Sequence, residues 1–281
     1  MSVELITPQW LMNNQGKEDL IIIDSQPDIY DYLYEHIPGS IYISDKLWRS
    51  WEDNIPTRYQ PEALIEEMLR RSGIHSTSTV VVYSSQGAFS NSGDGLEGAM
   101  CCYSLFRYGV KKVYFLNGGL REWIKANGNL TREYPMVKKG DFKTAIQNDL
   151  FLSYNQFLEL KDQNTSFIVD VRPPASYEES GVWEKQGHIP KAVNIPWKTF
   201  MDHNNSYLFQ SAEHIRKMVT ERGATEAKTI ICYCGTGREA TNAFIAFKWI
   251  LNYPRVYLYE GSFTEWCSYK QNPTVIGKSP I

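Results

Sequence analysis

The sequence has few cysteines and no long apolar run. Its five, Cys101, Cys102, Cys232, Cys234 and Cys267, are odd in number and thinly spread over 281 residues, which excludes a disulfide framework. No C-x2-C pair occurs, and Cys232-x-Cys234 has no second half, so a structural zinc site is not expected and no metal is assigned. Charge of one sign is also missing: 29 basic against 32 acidic residues leave a net charge of −3, with no global field for nucleic acid. The aliphatic runs Leu20–Ile23 and Val80–Val82 are strand-sized, far below the roughly 20 residues that span a bilayer. Met1–Trp10 carries neither a basic region nor an apolar core of signal-peptide length, so a reducing, cytoplasmic setting without membrane association is expected.

What is present is a repeat. The length suits about two domains at roughly 100–200 residues each. Leu5-Ile6-Thr7 matches Phe151-Leu152-Ser153, an apolar pair and an N-cap residue before a helical stretch. Ile21-Ile22-Ile23-Asp24 matches Phe167-Ile168-Val169-Asp170, and His36-Ile37-Pro38 matches His188-Ile189-Pro190. Thr79–Ser84 matches Thr229–Cys234, and Gly118–Trp123 matches Gly261–Trp266. Five blocks in one order, at a spacing that drifts as loops vary, indicate duplication. The expected boundaries are domain 1 at 1–130, a polar linker at 131–150 and domain 2 at 151–281, with the tail beyond Trp266 as a strap.

Short apolar strands (20–23, 79–83, 112–116; 167–170, 229–233, 255–259) alternate with helical stretches (61–71, 97–108, 119–126; 154–161, 211–221, 240–250). That alternation predicts an α/β fold: two domains, each a mainly parallel sheet with helices on both faces. In such sheets sites form at the carboxyl ends of strands. Cys234 lies there, opening Cys234-Gly235-Thr236-Gly237-Arg238-Glu239 before the helical stretch from Ala240. Gly235 and Gly237 can adopt positive φ, and a nest of amides at a helix start stabilises negative charge. The same field, with Arg238, should lower the thiol pKa and make thiolate the resting form. Cys232, on the strand, and Cys101 and Cys102, in an apolar helix, read as core residues.

These residues resemble the rhodanese family, and the whole chain resembles its tandem-domain sulfurtransferases. The aspartate strand followed by His-Ile-Pro is matched at 167–195 and more loosely at 21–43, the Glu-Trp block at 118–123 and 261–266, and the cysteine loop at 234–239. The resemblance implies transfer of sulfane sulfur from thiosulfate or 3-mercaptopyruvate through a Cys234 persulfide, with ping-pong kinetics. The acceptor would be cyanide or a thiol, including a protein thiol such as thioredoxin, and no cofactor is needed. It also implies a non-catalytic first module, with Ser84 at the cysteine position. Gly235, Thr236, Gly237, Arg238, Glu239 and Arg172 are the candidate substrate-binding residues. Arg172 has a second reading as the partner of an acidic residue. A proton relay proposed in some relatives would use His36 and Thr236. Two other classes compete: a sulfur-relay partner without its own small-molecule donor, and a rhodanese-fold phosphatase, whose loop is one residue longer.

Overall fold

The computed structural model describes residues 2–52, 55–179 and 181–281. The first part of the chain runs β1 (Ser2–Ile6), α1 (Pro8–Asn14), β2 (Leu20–Asp24), α2 (Ile29–Tyr34), β3 (Ser40–Tyr42), the hairpin strands β4 (Arg49–Glu52) and β5 (Ile55–Tyr59), α3 (Glu62–Arg71), β6 (Thr79–Tyr83), α4 (Glu97–Arg107), β7 (Lys112–Leu116) and α5 (Gly119–Lys125). The second part runs β8 (Phe151–Leu152), α6 (Tyr154–Lys161), β9 (Ser166–Asp170), α7 (Pro174–Glu178), β10 (Ala192–Asn194), β11 (Met201–Asp202), β12 (Asn205–Phe209), α8 (Ala212–Glu221), β13 (Thr229–Tyr233), α9 (Ala240–Ile245), β14 (Val256–Tyr259) and α10 (Ser262–Ser268).

The duplication is visible as topology. One five-stranded sheet has the order β1-β7-β6-β2-β3 and the other β8-β14-β13-β9-β10, with every recorded pairing parallel. Each sheet centres on a strand buried at all five positions, Thr79–Tyr83 or Thr229–Tyr233. A central parallel strand covered on both faces carries no polar alternation, which is why these runs read as continuous apolar segments. The N-caps fall where the sequence puts them. Thr7 accepts the Trp10 N–H, and Ser153 forms a reciprocal capping box with Gln156. One helix differs: α9 ends at Ile245, and Ala246–Ile250 continues as a wider π-type turn. The sequence pattern does not separate these, because the same apolar face runs through both.

The chain divides into two compact units whose borders are not those of a single linker. Unit one comprises Met1–Trp48, Tyr59–Gln147 and Asn204–Phe209; unit two comprises Arg49–Arg58, Asn148–His203 and Gln210–Ile281. Residues 131–147, expected as linker, are strapped to unit one: Thr131 bridges His36, Gly140 N–H donates to the Arg70 carbonyl, and Ala145 N–H to that of Tyr108. The tail does the same in unit two, with Val275 bridging His188. β12 belongs to unit one through Gly118 N–H to the Tyr207 carbonyl and Phe209 N–H to Asn117 Oδ1. Such long-range backbone pairings leave no periodic trace in sequence.

The repeated blocks hold each unit together in parallel ways. Trp123 and Trp266, both about 1% exposed, donate their indole N–H to the Asn129 and Pro273 carbonyls. Tyr83 and Tyr233 close the central strands, and their hydroxyls accept the N–H of Ile37 and Ile189 in the two His-Ile-Pro turns. Those turns are packing devices. His36 sets Nδ1 against the Tyr32 carbonyl and Nε2 against that of Glu133; His188 uses Tyr177 and Ser279. Both imidazoles are fully buried with both nitrogens engaged. The His36 relay is therefore corrected to a structural contact.

The units part company at the strand-end aspartates. Asp170 is held by Arg172, whereas the donors to Asp24 among the described residues are neutral: Tyr83 Oη at 2.5 Å and the Gln26 amides at 2.8 Å. Burial consequently raises the Asp24 pKa to about 6, against hydrogen bonds that lower it. The folded unit prefers the neutral carboxyl. That preference stabilises fully below the unfolded pKa near 3.8 and is lost as pH rises through about 6. Relative to Asp24→Asn, the wild type should lose up to ~3 kcal/mol between pH 4 and pH 7. Thermal melts of both across that range measure it, and a constant difference would count against a titrating Asp24.

Candidate active site

The site residues come together at the carboxyl end of β13, in the turn to α9. Cys234 is fully buried, and its Sγ accepts the Gly237 N–H at 3.0 Å. The Thr236 and Ala240 amides also act on the sulfur. Gly237 has φ +83°, and a Cβ there would lie 2.8 Å from the Glu260 carbonyl, so conformation and space both require glycine. Gly235 does not use positive φ. It is glycine because a Cβ would meet the Trp183 indole at 2.5 Å.

The loop is fastened from below by the start of α10. Phe263 and Thr264 N–H donate to the Cys234 and Gly235 carbonyls, each at 3.0 Å, and Thr264 Oγ1 donates to Gly235 at 2.8 Å. Trp183 Nε1 donates in turn to Thr264 Oγ1 at 2.8 Å. Ser262 Oγ accepts the Cys234 N–H at 3.2 Å and donates to the Tyr259 carbonyl at 2.9 Å. Ser262 sits at φ +52°, a left-handed conformation, where the first unit has Gly119 at +61°. A serine held there costs about 1–2 kcal/mol over glycine and supplies the hydroxyl that pairs a buried amide. Trp183, Thr264 and this role of Ser262 are not legible in sequence. A non-glycine residue in the Gly-Gly position of the repeat was the available signal.

Arg49 reaches the loop from β4, donating Nη1 to the Thr236 carbonyl. Nothing around Arg49 in sequence marks it, since the contact spans 187 positions. Arg238 and Glu239 are half-buried at the turn, and the Arg238 carbonyl accepts from Thr241 N–H and Oγ1.

Two expectations are corrected. The resting thiolate is not favoured: burial is the largest influence on Cys234 and pushes the thiol up to about 12, with Glu239 adding to it, against the Ala240 and Thr236 amides and Arg49. Desolvating the anion outweighs the nest in the closed loop. Arg172, a candidate substrate contact, is instead committed to Asp170. Its Nε and Nη2 donate to both carboxylate oxygens at 2.6–3.0 Å, Nη2 also reaches the Gly187 carbonyl, and the two side chains are 1% and 0% exposed. The guanidinium stacks 4.0 Å over Phe263 and 5.1 Å from Trp183, near enough for its charge to couple with Cys234. Burial also pushes Cys101, Cys102 and Cys232 upward, and Cys267 to about 11, as suits packed thiols.

In unit one the corresponding loop begins at Ser84, also fully buried. Its amides are already occupied: Glu97 accepts the N–H of Asp94 at 3.1 Å and of Gly95 at 3.2 Å, with the Ser84 hydroxyl at 3.4 Å. An internal carboxylate fills the nest.

A Rhodanese-like domain model matches residues 7–126 and again 153–269. The chain belongs to the rhodanese family. Within it, the tandem arrangement places the chain among the sulfurtransferases of the thiosulfate/3-mercaptopyruvate group. A putative thiosulfate sulfurtransferase of Synechococcus elongatus is 30% identical over 273 residues, spanning 94% of this chain and 83% of that one. The sulfur carrier protein TtuD of Thermus thermophilus is 27% identical over 279 residues, 93% of each. The crystal structure of SseA from Escherichia coli, a 3-mercaptopyruvate sulfotransferase of the rhodanese fold, aligns at a TM-score of 0.80 and 25% identity, covering 93% of this chain and 99% of that one. Among the described residues no helix is long and apolar enough to cross a membrane.

Two stability predictions test this geometry. Arg172→Ala strands a buried carboxylate and should cost about 3–5 kcal/mol in denaturant unfolding, whereas a peripheral ion pair would cost under ~1 kcal/mol. Ser262→Gly should be less destabilising than Ser262→Ala by about 1 kcal/mol, because both lose the hydroxyl but only alanine keeps the strained φ. Equal losses would show that the strain is not felt.

Proposed function

We propose that the protein transfers sulfane sulfur from thiosulfate or 3-mercaptopyruvate through a Cys234 persulfide. The observation that carries this reading is the sulfur of Cys234 at a strand end, accepting the Gly237 amide within a turn into a helix. The Cys234 thiolate attacks the outer sulfur of the donor. The bond from that sulfur to the donor breaks, its electron pair leaving with sulfite or pyruvate enolate, and Cys234 carries the persulfide. A thiophilic acceptor, cyanide or a thiol including a protein thiol such as thioredoxin, then attacks the terminal sulfur and returns the thiolate. Because burial pushes the Cys234 pKa up, the thiol proton is lost before or during donor attack. Each anionic state of the cycle is suited to the same inward amides, which need no reorganisation between steps.

In this reading Gly235, Thr236 and Gly237 shape the cradle. Arg238 and Glu239 follow it at the turn into the helix, and the Arg172–Asp170 ion pair lies behind it. Unit one is silent, since Ser84 cannot carry sulfane sulfur and Glu97 holds the amides a substrate would need. The five cysteines, all unpaired and buried, suit a reducing, cytoplasmic setting.

A second reading is supported by the likeness to TtuD: a relay in which another protein loads or unloads Cys234. Intact mass and peptide mapping after separate incubation with each donor distinguish the two. One added sulfur on Cys234, lost in Cys234→Ser, is the expected result. Addition elsewhere, or retained in that variant, would sink the mechanism, and no addition from either donor would favour the relay.

A further inference from the structure

Arg49 was not anticipated at the site, yet it is among the charges acting on the sulfur. Its Nη1 donates to the Thr236 carbonyl and would lie 3.4 Å from a Cβ at Gly237. It therefore packs on the two loop residues that flank the sulfur-binding amide. The other end of the same hairpin is anchored too. Arg58 Nη1 lies 3.1 Å from Oε1 of Glu265, a carboxylate on α10 whose side chain is 6% exposed. α10 also supplies the Phe263 and Thr264 amides that fasten the Cys234 loop. Strands β4 and β5 are thus each tied by an arginine to an element that bounds the loop.

We infer that Arg49 is the charge-supplying and donor-selecting residue of the Cys234 loop, favouring donors that carry a sulfonate or carboxylate beside the transferable sulfur. The inference rests on the reading of Cys234 as the sulfur-accepting thiol. The argument is one of charge balance. Glu239 opposes an anion on Cys234, Cys232 is a neutral thiol, and the half-buried Arg238 beside Glu239 is engaged in an interaction of its own. Arg172 is positive but neutralised at contact distance by Asp170. Among the described residues, the hydrogen bond of Arg49 goes to a neutral carbonyl, so that contact does not cancel its charge. A guanidinium has five N–H donors in a planar fork, so those not turned to Thr236 can address an anionic donor, where charge-assisted hydrogen bonds are strong.

Arg49→Gln retains an N–H for Thr236 but removes the charge, and Arg49→Lys restores the charge. Two measurements follow: the pH profile of Cys234 alkylation by neutral iodoacetamide, with the modified peptide mapped, and steady-state kinetics with thiosulfate. In Arg49→Gln the alkylation profile should move to higher pH and the thiosulfate KM rise about tenfold, equivalent to about 1.4 kcal/mol, with a smaller change in kcat. Arg49→Lys should recover most of both. A glutamine variant whose profile overlays the wild type, or a lysine variant as impaired as glutamine, would overturn the inference. Should the wild type take up no sulfur while glutamine still shifts the profile, the sulfur-transfer reading fails and the charge assignment stands. Normal loading in both, with one shared profile, removes Arg49 alone.

Discussion

A sulfur atom with no exposure to solvent has to find its partners within the protein, and the second unit is organised around that demand. The Cys234 Sγ has the Gly237 amide at 3.0 Å, with Thr236 and Ala240 contributing. Those amides face inward only because the carbonyls of Cys234 and Gly235 are turned down onto Phe263 and Thr264. This in turn requires α10 to begin at a left-handed Ser262 and Trp183 to brace Thr264. Each contact is worth only about 1 kcal/mol net, yet leaving any one buried donor unpaired costs 1–3 kcal/mol. The loop is therefore specified as a set rather than residue by residue.

The energetic tension in the site lies between burial and charge. A closed, dry loop penalises the thiolate that the proposed chemistry needs, and amide dipoles alone do not cancel the penalty. Dry surroundings also make every remaining dipole and charge more effective once an anion has formed. Under the proposed transfer, in which a thiol, a thiolate and a persulfide occupy the loop in turn, a cradle fixed in advance is an advantage.

The two units show how one duplicated framework diverges. Both keep the strand-end tyrosine bound to an isoleucine amide, the buried His-Ile-Pro turn and the tryptophan tied to a trailing carbonyl. They differ where function would be expressed. Asp24 with Gln26 replaces Asp170 with Arg172, and a glutamate fills the first loop where the second is built about a sulfur. The shared features maintain packing, and the divergent ones set local charge.

The sequence by itself determined the duplication, the parallel α/β class, the central strands, the limits of α3, α4, α5, α6 and α8, and the position of Cys234 at a strand end. All of these rest on local signals: continuous apolar runs, N-cap residues and glycines before a helix. Only the tertiary structure decided the rest. The edge strand β1 and the seating of 204–209 depend on backbone pairings across long stretches of chain, which no periodicity records. The commitment of Arg172 to Asp170, the engagement of His36 by two carbonyls and the arrival of Arg49 at Thr236 depend on which side chains burial brings together. The protonation of Cys234 turns on the same cause, since the cost of desolvating a charge is a property of the assembled surroundings and not of the residue that bears it.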